Sequence, residues 1–491
     1  MTDLHVLSAT ELLALMGAGR LTSVELLDHL VARIEADAGA VNAIVALDVD
    51  RARTRAAEAD AARARGESWG PLHGLPMTVK DAFETEGLVT TSGAPELRAH
   101  VPTRDADAVA RLRAAGAVIF GKTNLPIYAG DVETFNEVYG RTNNPWALDR
   151  AVGGSSGGAA AALAAGQTPL ELGSDIGGSI RNPAHYCGVF GLKPTWGIVP
   201  IRGHIPGPPG SLATADVGVA GPMARSAADL ALGLEVLAGP AAADAVAWRL
   251  ELPPPRNGGA VEGLRVAVWF DAPAPPLAVD VRARLDVAAD ALADAGARVT
   301  AVPAPVPLDE LRASWERLVL PISTAGLPDD VFASFAQAAE APVADDEPVA
   351  MRALRAVALR HRDWLRADER RQRHRHRFAE LFEQHDVLLA PVMPTAAPRH
   401  GDAHDITVRE VDVDGELRPA MEGLDWAGGI GTLLLPVAVP PIGRTPDGLP
   451  VGVQVVAPHL HDRTAVAVAG HLERLLGGFV PPPAYATAPA G

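Results

Sequence analysis

Apolar residues near the start of the chain recur at helical spacing. Residues 8–18 and 22–36 each open on a capping box, Ser8 with Glu11 and Thr22 with Glu25, and in the second Leu27, Leu30, Val31 and Ile34 share one face. Two helices are therefore predicted, followed by a third in the Ala/Arg/Glu segment around 49–65. From 74 to 80 the pattern changes to alternation, with Leu75, Met77 and Val79 apolar, which predicts a buried strand ending at Lys80. Residues 105–120 read as an Ala-rich helix with Val109 and Leu112 on one face, stopped by Gly116 and followed by a short apolar strand. Residues 280–302 repeat that design, and 264–270 reads as another strand. Such alternation predicts an α/β sheet covered by helices rather than separate helical and sheet domains. Proline-rich stretches at 252–255, 273–276 and 481–483 read as surface connections, none long enough to mark a domain boundary, and no repeat array is present.

Composition narrows the classes of function. Apolar residues make up 48% of the chain but aromatics only 4%, so aliphatic and small side chains must fill a large core. A net charge of −17 argues against nucleic-acid or anionic-membrane surfaces, which need a basic field. The single cysteine, Cys187, rules out an internal disulfide, and the first residues have neither a basic nor a long apolar run, which points to the cytoplasm. No stretch approaches the roughly 18 apolar residues of a membrane span. The basic, His-rich run 370–377 reads as a solvated helix face. His374 with His376, and His459 with His461 and Asp462, lack a third ligand at metal-site spacing, so no metal is expected.

The candidate chemistry lies in the glycine-dense region 153–191, where Ser155 and Ser179 each sit inside a glycine frame. Glycine at this density marks backbone that approaches something closely or adopts positive φ, although Gly-Ser turns alone would give the same pattern. Lysine usage weighs toward chemistry. Only three of 43 basic residues are lysine, Lys80, Lys122 and Lys193, and all fall around this region. Buried lysine can lose its proton and arginine cannot, so Lys80 at a strand end is a candidate base for a serine, the alternative being an ion pair with Asp81 or another acid. Two formal motif matches compete. Residues 116–123 fit a P-loop, but the intervening Ala-Val-Ile-Phe is strand-like rather than a phosphate cradle. Residues 153–157 fit the Gly-x-Ser-x-Gly elbow of α/β-hydrolases with Ser155 as nucleophile, yet 143–152 does not read as the buried strand an elbow requires.

The block 153–195, from Gly-Gly-Ser-Ser-Gly-Gly to Gly-Leu-Lys-Pro-Thr, preceded by Gly-Leu-Pro-Met-Thr-Val-Lys-Asp (74–81) and Gly-Lys-Thr-Asn-Leu-Pro (121–126), resembles the amidase-signature family. The resemblance continues through 221–226, 386–394 and 448–454 in the family's order, covering most of the chain. It implies an α/β fold with a mixed central sheet flanked by helices. It also implies one domain over 1–491: N-terminal helices in 1–65, a catalytic core in 66–240, and in 241–491 the remainder, with specificity segments between about 310 and 430. By position, Ser179 matches the acylated serine and Lys80 the lysine that receives its proton. Ser155 matches the bridging serine, which in the family follows a cis peptide bond, here Gly154–Ser155. The backbone N–H groups of Ile176, Gly177, Gly178 and Ser179 match the oxyanion hole.

That chemistry requires no cofactor, metal or organic. The expected partner is a small-molecule amide, with carbamates and esters passing through the same tetrahedral route and a homodimer allowed. Ser174 stands where the family often has threonine, Ile127 where many members carry an acid, and Asn182 and His185 are unusual beside the nucleophile; none is expected to touch the triad. Loss of the acid at 127 suggests an apolar or aromatic substrate, for which Ile127, Tyr128, Phe135 and Tyr139 are pocket candidates, unless the aromatics serve only for packing. The alternatives are a glutaminase-type subunit of an amidotransferase and an esterase using Ser155.

Overall fold

Twelve short strands, most of them buried on both faces, join into one sheet that draws on residues from 44 to 456. They are β1 (Ile44–Leu47), β2 (Pro76–Lys80), β3 (Val118–Thr123), β4 (Leu170–Asp175), β5 (Phe190–Lys193), β6 (Val219–Ala224), β7 (Arg265–Val268), β8 (Arg298–Ala301), β9 (Val387–Pro391), β10 (Val437–Val439), β11 (Pro441–Arg444) and β12 (Pro450–Val456). Their order is β1-β3-β2-β4-β6-β5-β10-β12-β9-β7-β8, with β11 also paired to β12. The computed structural model describes residues 3–487 apart from 206–208, 274, 325–327, 341–348 and 402–405. Met1 and Thr2 at the start, position 274 of the proline-rich stretch 273–276, and the parts of the expected specificity region in 325–327, 341–348 and 402–405 thus lie outside the described residues.

The sheet is mixed for a reason visible in its connections. β3, β2 and β4 run parallel, as do β9, β7 and β8, and each parallel step is reached through a helix, such as Asp107–Ala114 before β3 and Val279–Asp294 before β8. All other pairings are antiparallel. Helices cover the faces, which is why the inner strands are buried throughout and mostly apolar. Both N-terminal helices form as expected, Ala9–Gly17 and Ser23–Asp37, each with its complete capping box. Among the described residues no helix is long and apolar enough to cross a membrane.

Small residues replace aromatics in the core. Helix Gly157–Ala164 is buried along its whole length, and its alanines join a cluster with Val152, Ile180 and Met223. Two glycines at its start allow close approach, Gly157 to the Thr134 and Val152 side chains and Gly158 to backbone: a Cβ on Gly158 would lie 2.4 Å from the Asn124 nitrogen. The 116–123 segment contains the buried strand β3 with Lys122 inside it, which is not P-loop geometry. Residues 143–151 form a hairpin outside the main sheet, Asn143–Asn144 with Ala147–Ala151, so no buried strand leads into Ser155. The run 370–377 lies in helix His361–Gln384 and exposes positions 370, 372, 373, 376 and 377 as the expected solvated face, while Arg371 and His374 turn inward. Arg371 is held there by Asp216 at 2.7 Å and by Asp368.

Gly158→Ala is expected to destabilise the protein by about 1–3 kcal/mol through overpacking, read as a lower urea midpoint at unchanged slope.

Candidate active site

Lys80 ends β2, and its neighbour β4 carries Ser174 one residue from its own end, so both side chains reach the carboxyl edge of the parallel strands. Across from them, the turn Gly153–Ser156 leads into the buried helix Gly157–Ala164, and the Gly154–Ser155 peptide bond is cis. Three hydroxyls converge on the amine: Lys80 Nζ stands 2.7 Å from Ser155 Oγ, 3.1 Å from Ser156 Oγ and 2.9 Å from Ser174 Oγ. Lys80 is fully buried, and among the described residues it makes no ion pair. Burial lowers its pKa to about 7, against the pull of Asp175 and Glu171.

The other two lysines are buried as well, so all three occupy the interior environments that lysine usage suggested. Lys122 differs in its surroundings. Its Nζ donates to Phe83 O, Thr85 Oγ1 and Thr90 Oγ1 and lies 4.0 Å from Asp81, with its pKa lowered by burial to about 8. Asp81 therefore pairs with Lys122 and not with Lys80.

Ser179 follows the tight loop Ile176–Gly178 that leaves β4. Gly178 has φ of +120° and its absent Cβ would stand 2.8 Å from Ala427, so only glycine fits. Beneath the loop lies a wholly buried ion pair, with Asp175 Oδ1 2.8 Å from Arg181 Nη2 and Asp175 Oδ2 3.0 Å from Arg181 Nε. Burial opposes the Asp175 charge, but Arg181 wins and lowers its pKa to about 2. Arg181 is anchored in turn to Gln454 Oε1 at 2.8 Å on β12 and to the Ala427 carbonyl. The same carboxylate receives the Gly178 N–H at 2.8 Å and the Ile180 N–H at 3.1 Å. This corrects one expectation: the Gly178 N–H is already committed to Asp175, whereas those of Ile176, Gly177 and Ser179 have no hydrogen-bond partner among the described residues. The Ser156 N–H donates to the Ser179 carbonyl at 3.0 Å, fixing the two serine segments to each other.

A cavity of about 340 Å³ opens over this cluster, and Ser155, Ser174 and Ser179 all line it. Ile127 and Tyr128 line it too, Tyr128 with its hydroxyl donating to Glu96. Phe135 and Tyr139 do not. Phe135 belongs to a two-residue strand under Arg141, and Tyr139 is fixed in the same hairpin, its N–H donating to Asn136 Oδ1 at 2.8 Å. One departure from the family pattern touches the proposed triad, contrary to expectation, and another lies next to it. Ser174 contacts Lys80 directly, and Asn182 Oδ1 accepts the Gly154 N–H at 3.0 Å beside Ser155. His185 instead ties Gly452 to Thr395 from a fully buried position, where desolvation keeps the imidazole neutral. The residues missed from sequence are Asp175 with Arg181, whose only sign was opposite charges flanking a Gly-Gly-Ser, and His204, whose Nε2 lies 2.8 Å from Ser174 Oγ.

Residues 25–466 match the family described as Amidase. A glutamyl-tRNA(Gln) amidotransferase subunit from Roseiflexus sp. (strain RS-1) is 35% identical over 497 residues, covering 97% of each chain. The AtzE subunit of 1-carboxybiuret hydrolase from Pseudomonas sp. (strain ADP) is 35% identical over 92% of this chain and 94% of its own. Among solved structures, a bacterial aryl acylamidase of the amidase-signature enzymes superposes with a TM-score of 0.81 at 26% identity, covering 100% of this chain and 99% of that one.

Asp175→Ala strands the Arg181 charge in the interior and is expected to cost about 3–5 kcal/mol of stability, measured by denaturant unfolding. An Asp175→Ala protein as stable as the parent would contradict the account of the loop's support.

Proposed function

Because the chain belongs to the amidase-signature family, we propose that it hydrolyses a small, uncharged carboxamide through an acyl-enzyme on Ser179. The observation that carries this reading is the Lys80 amine, buried without an ion-pair partner among the described residues and 2.7 Å from Ser155. A neutral amine there accepts the Ser155 hydroxyl proton while Ser155 takes the proton of Ser179, whose oxygen attacks the carbonyl carbon. The tetrahedral oxygen then meets the N–H groups of Ile176, Gly177 and Ser179, where one preorganised donor contributes about 3–4 kcal/mol in the transition state. The proton on Lys80 returns through Ser155 to the departing amine nitrogen, the C–N bond breaks, and water repeats the relay to release the acid and free Ser179.

The cavity's lining supports an uncharged substrate. Ile127, Ile176, Ile201, Val219, Ile322 and several alanines and glycines dominate it, and among the described residues that line it there is no lysine or arginine. A free carboxylate would enter without a cation to meet it, which costs several kcal/mol. The Asp175 charge on its wall is already neutralised by Arg181. This opposes the glutaminase reading that the name of the Roseiflexus relative invites, since glutamine brings both a carboxylate and an ammonium.

The test compares the wild type with Ser179→Ala on anilides, aliphatic amides, carbamates, esters and glutamine. Hydrolysis of a neutral amide that disappears in the variant, with glutamine at least about a hundredfold slower, is the expected result. A fluorophosphonate adduct mapped by mass spectrometry should fall on Ser179; an adduct on Ser155 would establish the elbow-type esterase instead.

A further inference from the structure

His204 lies on a loop far along the chain from both serines, yet its ring closes one end of the hydroxyl cluster. It lines the cavity, packs edge-on against Phe83 with ring centroids 4.9 Å apart, and sets Nε2 2.8 Å from Ser174 Oγ. Ser174 Oγ is in turn 2.9 Å from Lys80 Nζ. The chain of contacts is therefore His204, Ser174, Lys80, Ser155.

Counting donors and lone pairs gives this chain a direction. A neutral lysine amine has two N–H bonds and one lone pair, and it faces three hydroxyl oxygens. To accept from Ser155, the lone pair must point there, so the two N–H bonds must be received by Ser156 and Ser174. Ser156 is already set as a receiver. Its hydroxyl donates to the Ser174 carbonyl at 3.2 Å, and its oxygen also takes the Ser174 N–H at 3.3 Å. Among the described residues, Ser174 has one candidate acceptor for its own proton within reach besides Lys80, and that is His204 Nε2. With that proton on the imidazole side, the Ser174 oxygen can only receive from Lys80.

We propose that His204 is a positioning residue: by accepting the Ser174 hydroxyl proton at Nε2, it keeps Ser174 from donating to Lys80 and so reserves the Lys80 lone pair for Ser155. The role requires a neutral ring carrying its proton on Nδ1. Burial is the largest cause that lowers the imidazole, to about 3, so the ring is neutral near pH 7. The proposal rests on Lys80 as the base. Without His204 the Ser174 hydroxyl is free to rotate and compete with Ser155, an outcome that removing the hydroxyl should relieve.

The test is the set His204→Leu, His204→Gln, Ser174→Ala and His204→Leu/Ser174→Ala, assayed with a neutral amide accepted by the wild type, alongside Lys80→Ala. His204→Leu is expected to lower kcat about tenfold or more with KM within about twofold, and His204→Gln, whose amide oxygen can accept in place of Nε2, to recover most of that loss. The diagnostic result is that the double variant is more active than His204→Leu alone and close to Ser174→Ala. Should Leu disrupt folding at this site, the pair His204→Gln and Ser174→Ala reads the same hydroxyl, Gln near wild-type kcat supporting the assignment and Gln as slow as a disrupted site opposing it. A double variant equal to or slower than His204→Leu, or a loss confined to KM, overturns the proposal while leaving Lys80 as base. Substantial activity in Lys80→Ala overturns both.

Discussion

A lysine amine buried without a carboxylate against it is the constraint on which the rest of this structure depends. Desolvation penalises the ammonium form, and hydroxyl groups compensate a neutral amine far better than a charge. Lys80 meets that condition, with three serine oxygens around it and no ion pair among the described residues. Lys122 shows what the alternative looks like in the same fold. It has a carbonyl, two threonine hydroxyls and the Asp81 carboxylate, and it braces the 81–91 loop.

Satisfying that constraint dictates the surrounding architecture. The parallel pairing of β2 with β4 brings Lys80 and Ser174 to one edge, and the all-buried helix Gly157–Ala164 delivers Ser155 and Ser156 from the opposite side. Close approach is possible because glycine and alanine fill positions where larger side chains would force the elements apart. The loop carrying Ser179 is held from below by Asp175 and Arg181, tied onward to β12 through Gln454. A charge pair placed under the loop fixes it without presenting a net charge to the cavity, as the proposed uncharged substrate and neutral base require.

Much of this was legible in the chain. The capping boxes of the first two helices, the alternation ending at Lys80 and the scarcity of lysine all reflect local rules, and each has its counterpart in the structure. What escaped detection depends on long-range geometry. Nothing local reveals that His204 reaches Ser174, or that the Asp175 carboxylate takes the Gly178 N–H and so removes one donor from the expected set. Phe135 and Tyr139 were candidates by aromatic character alone, and a hairpin turns them away from the cavity. The arginine-rich run is mostly outside, as expected, but within it Arg371 turns in to meet Asp216, more than a hundred residues away in sequence.

The protonation of Lys80 is the central claim, and the chain offers a direct view of it because it contains only three lysines. Protein labelled with carbon-13 at the lysine ε-carbons would give three resonances, with Lys80→Met identifying the one of interest. The account predicts that this resonance titrates with a midpoint near 7. A Lys80 that stays protonated up to the ordinary lysine range of about 10.4 would contradict it, since a permanently charged amine cannot take a proton from Ser155.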